Sequence, residues 1–145
     1  MLKLNISYCC ILLICILFVK SEVQASGHYQ VVTHPEIEEK SISVNLLRAI
    51  FSMRLRTWSN GKMIKVFVLS DDDQLHQEFS KEKLNVFPYQ LRLAWDRLVF
   101  SGTGQAPINV HSQEEMLAKV ASMPGAIGYL KTTYINGDVH VLQIR

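Results

Sequence analysis

Residues Met63 to Leu69 read MIKVFVL, an apolar stretch broken only by Lys65. A strand with one wet face alternates apolar and polar side chains, whereas this run has no such alternation and must be covered on both faces. A chain carrying it has to build layers, with helices above and below a sheet. The boundaries are sharp on both sides: Trp58 to Lys62 (WSNGK) holds an Asn-Gly turn signal, and Ser70 followed by Asp71, Asp72 and Asp73 ends the run.

The remaining elements fit that layered scheme. His28 to Thr33 is rich in β-formers and is closed by His34-Pro35, so it reads as a strand. After a charged connector, Ser43 caps a helix whose Leu46, Leu47, Ile50 and Phe51 recur at helical spacing, ending near Met53. Asp71 to Asp73 supply the cap and first turn of a second helix running through Leu75 and Phe79 to about Leu84. Pro88 suits the first turn of a third, on which Leu91, Trp95 and Leu98 make one apolar stripe. Phe100 to Pro107 is a loop. Ser112 and Glu115 form a capping-box pattern ahead of Met116, Leu117, Val120 and Ala121, and Met123-Pro124-Gly125 stops that helix. Ala126 to Leu130 is a short strand, Asn136-Gly137 a turn, and Val139 to Ile144 the last strand. The fold class is α/β, a mixed sheet flanked by helices.

The first 25 residues stand apart. Lys3 gives a basic start, Tyr8 to Val19 is an unbroken apolar run, and Val23-Gln24-Ala25 ends in small residues at cleavage spacing. The run is shorter than the roughly 20 residues that span a bilayer, so residues 1–25 read as a cleaved signal peptide rather than an anchor, and 26–145 as one domain. Cys9, Cys10 and Cys15 all lie in that segment, leaving a mature chain with no disulfide or thiolate chemistry. Lipid attachment is disfavoured too, because Ile14 and Cys9, not small residues, precede Cys15 and Cys10. Setting aside Lys3, Lys20 and Glu22 leaves 13 basic against 12 acidic side chains, with no excess to suggest nucleic acid.

Four segments carry a resemblance. LLRAIFSMRLRTWSNGKMIKVFVL (46–69) is similar to an IF-x-G-x-x-x-x-W-x-x-G-x-x-I-x-x-V region; RLAWDRLVFSGTGQAPINV (92–110) to W-x-x-x-x-F-x-G-x-G-x-x-P; MPGAIGYL (123–130) to x-P-G-A-I-G-Y-V; and VVTHP (31–35) to VVVNP. All four patterns are those of the phosphate-binding proteins of bacterial ABC uptake transporters, the third of one lobe's end and the second of a short subgroup. The resemblance implies a type 2 periplasmic binding protein fold. Full members have two lobes that close on a ligand, and about 120 mature residues suffice for one, so a single lobe with an open face is expected, in the periplasm.

In that family an R-x-x-G-S-G-T or G-S-x-x-R pattern holds phosphate through backbone N–H groups at a helix start, a serine hydroxyl and an arginine. The aligned residues here run from Leu69 to His76, with aspartates at the glycine and serine positions and Leu69 or His76 at the arginine position. Carboxylates at the positive end of a helix repel phosphate.

The candidate ligand-binding residues are Thr33, Ser70, Asp71, Asp72, Asp73 and His76, with Gly102, Thr103, Gly104 and Gln105 as a loop whose backbone N–H groups can face an anion. The aspartates read first as helix cap and first-turn charges, next as recognition of a cationic or hydrogen-bonding partner, and least as a hard-metal site, since the spacing fits no calcium loop. His76 is expected to face solvent, Trp58 and Trp95 to be core, and Arg54 and Arg56 to form a solvated face. His34, His111 and His140 have no partner at ligand spacing. A nucleophile beside a base, or a metal set with an open position, is not found as a spaced constellation, so neither catalysis nor a cofactor is expected. Two functions follow: recognition of a small anion or other solute on an open face or across an assembly, or docking on a membrane transporter or sensor by a lobe that has lost its anion ligands. The pattern leaves the oligomeric state open.

Overall fold

The strand demanded by MIKVFVL sits inside a six-stranded sheet, covered on both sides. The computed structural model describes residues 28–145. The signal peptide expected over residues 1–25, with its cysteines, lies outside the described residues.

In chain order the elements are β1 (Tyr29–Thr33), β2 (Ser41–Ile42), α1 (Val44–Phe51), β3 (Lys65–Val68), α2 (Gln74–Glu78) continuing into a π-helical turn (Phe79–Lys83), α3 (Pro88–Phe100), β4 (Ile108–Asn109), α4 (Gln113–Ser122), β5 (Ala126–Lys131), a 3₁₀ turn (Thr132–Tyr134) and β6 (His140–Ile144). The strands lie in the order β2-β6-β1-β5-β3-β4. β3 is parallel to β4 and β5, and β2 to β6, while β1 runs antiparallel to both its neighbours, β5 and β6. One strand thus opposes five, and the sheet is mixed as expected.

The two faces can be told apart on β5, where successive side chains point opposite ways. At Gly128 a Cβ would come within 2.5 Å of the Met116 sulfur and 3.2 Å of Val120, so α4 covers that face. Tyr129 points the other way, stacked on Phe79 at 4.1 Å between ring centroids and 6.0 Å from Phe51. Phe51 ends α1 and Phe79 opens the π turn, so α1 and α2 meet over the sheet. Trp95 of α3, fully buried, ties in the third helix by donating its indole N–H to the Phe51 carbonyl at 2.8 Å. Trp58, also buried, donates to the Gly125 carbonyl at 3.0 Å. Both tryptophans are core, as expected.

The helix starts follow their sequence signals. Ser43 accepts from the Leu46 N–H, and Ser112 from the Glu115 N–H. Glu115 reaches back to the His111 N–H rather than to the cap residue itself, one position off a regular capping box. The second helix departs from expectation beyond Glu78, where its turns widen. Leu75 and Phe79, and His76 and Ser80, are buried four residues apart, but the next buried side chain, Leu84, lies five beyond Phe79. The wider π turn keeps Leu84 on the buried face, and its N–H donates to the Phe79 carbonyl. Two edge strands, β2 and β4, fall where the sequence suggests only connectors; each is two residues long and carries no periodic signal of its own.

Candidate functional site

The carboxyl end of β3 is where this fold gathers its polar groups. Leu69 donates its N–H to the Tyr129 hydroxyl at 2.9 Å, and beyond it the chain turns, with the Asp73 N–H on the Ser70 carbonyl at 3.0 Å. The three aspartates that follow do three different things. Asp73 is the N-cap of α2: its Oδ1 accepts from the N–H groups of Leu75 and His76 at 2.8 and 3.2 Å. Asp72 accepts from the Ser70 hydroxyl, a bond that holds its exposed carboxyl below the usual carboxylate range. Asp71 receives the guanidinium of Arg92 as a fork, Nε on one oxygen and Nη2 on the other, both at 3.0 Å. Only Asp73 is the helix cap; Asp71 and Asp72 precede the helix and are not the first-turn charges that the sequence suggests.

Arg92 comes from α3, and its guanidinium lies 5.1 Å from the Trp95 ring centroid. Burial of Trp95 thus fixes the platform from which Arg92 reaches Asp71. Asp71 in turn raises the Arg92 pKa, chiefly through their hydrogen bonds. Both partners are about a third exposed, so the pair adds no more than about 1 kcal/mol to stability. Its consequence is occupancy: the fork is filled. Ser70, Asp71 and Arg92, with Asn109, Val110 and His111 from the end of β4, line a concavity of about 280 Å³.

His76 is not the solvent-facing residue that helix spacing suggested. It is 0% exposed, wedged beside Tyr129 and Trp95. Its Nδ1 lies 2.5 Å from the Tyr129 hydroxyl, which accepts from the Leu69 N–H and whose own proton has no other acceptor than Nδ1 among the described residues. That assigns the ring proton to Nε2, which has no hydrogen-bond partner among the described residues and sits 3.8 Å from Asp71 Oδ1. Burial pushes the imidazole below its ordinary value of 6.5, with Asp71 and Asp73 pulling the other way.

Two expected outcomes follow from this end of the sheet. As pH falls through about 6.5 the unfolded chain takes up a proton at His76 that the folded protein does not, so folding stability declines on acidification. The thermal midpoint is expected to drop between about pH 7.5 and about pH 5.5, and to drop less in His76→Gln; equal slopes in the two proteins would contradict the assignment. Replacing Asp73 by alanine removes the N-cap and is expected to cost about 0.5–2 kcal/mol in denaturant unfolding, while Asp73→Ser recovers most of it.

The other predicted site residues lie elsewhere. Thr33 ends β1 and pairs with Ile127, which pairs in turn with Val66 near the start of β3. That places it about 13 Å along the strand direction from Ser70. Its hydroxyl is buried without a partner among the described residues. The Gly102–Gln105 loop precedes β4 and also stands at the amino end of β3, beside Met53, Arg56, Met63 and Ile64. The N–H groups of Gly102, Thr103 and Gly104 point back into α3, to the Val99 and Leu98 carbonyls, and so terminate that helix rather than face outward. The predicted residues therefore form two groups at opposite ends of the sheet. Arg92 carries no sequence signal that singles it out, the one hint being that Asp71 needs a cation, and Tyr129 is marked only by its place in the GAIGY motif.

Comparison with known proteins is informative at the level of fold. No protein-family model and no curated protein sequence matches the chain. Solved structures do. A phosphate ABC transporter substrate-binding protein of Clostridium perfringens with bound phosphate is similar at a TM-score of 0.65 and 15% identity, over 80% of this chain and 44% of that one. PstS of Borrelia burgdorferi gives 0.62 and 17%, over 81% and 47%. An ABC-type phosphate transport receptor of Vibrio cholerae gives 0.60 and 12%, over 80% and 45%. The chain spans a little under half the length of these structures and has the fold of about half of a type 2 phosphate-binding protein, as its sequence motifs implied.

Proposed function

We propose that this chain is a non-catalytic lobe of the phosphate-binding-protein type whose anion position is filled by its own carboxylates. It acts by docking on a membrane transporter or sensor of the envelope, not by capturing free phosphate. Its N-terminal signal peptide delivers it to the periplasm.

A single observation carries this reading: each kind of donor that the resembled family turns toward phosphate is met here by one aspartate. The N–H groups at the start of α2 are taken by Asp73, the Ser70 hydroxyl by Asp72 and the Arg92 guanidinium by Asp71. An incoming phosphate finds its donors engaged and meets three negative charges in addition. No helix among the described residues is long and apolar enough to cross a membrane.

Titration calorimetry with phosphate and with sulfate tests the proposal. The wild-type protein is expected to give no saturable heat, while the combined Asp71→Ser, Asp72→Ser, Asp73→Ser variant, with its donors released, acquires saturable binding. Phosphate binding by the wild-type protein that disappears in Arg92→Gln would overturn it.

A further inference from the structure

Resting on the docking reading, we propose that the groove between α1 and α3 receives an acidic amphipathic helix of a partner protein. The groove has a volume of about 640 Å³, and its floor is apolar, made by Val86, Leu91, Ala94 and Leu98. Three guanidinium groups border it, Arg48 and Arg54 on the α1 side and Arg97 on the α3 side, and no acidic residue lines it. Among the described residues none of the three is ion-paired to a carboxylate. Arg48 is nevertheless held in place, with its Nε on the Leu84 carbonyl at 2.7 Å, and Arg54 donates to the Ser52 hydroxyl at 3.0 Å.

The chain carries almost no net charge outside its first 25 residues, so these unpaired cations are a local feature rather than a reflection of overall basicity. An apolar strip bordered by cations on both sides is complementary to a helix with an apolar face and carboxylates flanking it. The dimensions agree: Leu91 and Leu98 are seven residues apart on α3, about 10.5 Å, the span of anchors at i, i+4 and i+7 on a partner helix. A ligand with a single anionic head would engage one side only. A helix with acidic residues on both flanks meets all three arginines, whose planar forks suit carboxylates.

The test uses a fluorescein-labelled synthetic helix of roughly 18 residues, with leucines on one face and glutamates on both flanks, long enough to hold helical structure. Its anisotropy is followed against the purified protein, beside a probe in which every glutamate is lysine. Saturable binding of the glutamate probe alone is expected, weakened by roughly tenfold or more in Arg54→Glu, Arg97→Glu and by added salt. Ala94→Trp, which fills the groove without altering charge, should also abolish it. Both arginines are exposed, and circular dichroism of each variant confirms that the fold is kept. Equal binding of the lysine probe, indifference to both variants, or no saturable binding by folded protein at about millimolar concentration overturns the proposal. So does binding to phosphatidylglycerol vesicles through the same arginines with no response to the peptide. Phosphate calorimetry on the same samples separates the two readings: phosphate uptake by the wild-type protein defeats the docking reading, whereas a silent phosphate titration with no probe binding defeats only the groove.

Discussion

Gly125→Ala is expected to leave the protein largely unfolded at room temperature. Gly125 joins α4 to β5 with a φ of 80°, and a Cβ there would lie 2.1 Å from the Met63 carbonyl oxygen. The carbonyl of Gly125 itself accepts from the Trp58 indole and from the Lys65 N–H, both at 3.0 Å, so the turn is clamped against the start of β3 and cannot retreat. Backbone strain alone costs about 1–2 kcal/mol, and displacing the carbonyl of Met63, which bridges to Thr57 just ahead of β3, adds more. Gly61 separates the two contributions. Its φ is 82°, but a Cβ there would meet nothing within 4 Å, so Gly61→Ala should cost the backbone strain only. Chemical denaturation of both variants measures the difference; equal losses would show that the Met63 contact is unimportant.

The second large effect is at Trp95. Trp95→Ala removes the largest fully buried side chain, leaves the Phe51 carbonyl without its donor and takes away the ring beside Arg92. A loss of about 3–5 kcal/mol is expected for such a truncation. Trp95→Phe fills much of the volume but cannot donate, and should lose considerably less. A cost for Trp95→Ala within the range of ordinary surface substitutions, about 0.5 kcal/mol, would contradict the packing described.

What the residues disclose in advance, and what they withhold, has a common physical basis. Periodicity and caps are local, so α1, α3 and α4 and their starts at Ser43, Pro88 and Ser112 are legible, as is the two-sided burial of β3. The antiparallel placing of β1 between β5 and β6 depends on long-range pairing and has no local mark beyond the resemblance. His76 departs from expectation for a related reason. Leu75 and Phe79 form one apolar stripe by spacing, which sends His76 toward water, yet α2 is also covered on the next face and the Tyr129 hydroxyl meets the Nδ1 of the imidazole there. The three aspartates stand out in the sequence as the feature to explain, but their division of labour depends on Arg92, twenty-one residues away in another helix. The Gly102–Gln105 loop looks open to an anion because its role in closing α3 is visible only once its N–H groups are traced.

Occupation of the phosphate position by Asp71, Asp72 and Asp73 is the central claim, and an NMR titration with phosphate reaches it most directly. The signals to follow are the backbone amides of Leu75 and His76 and the side-chain Nε–H of Arg92, whose acceptors are Asp73 and Asp71. These resonances are predicted to stay in place as phosphate is added. Saturable shifts at all three would mean that phosphate displaces the carboxylates, and would contradict the account.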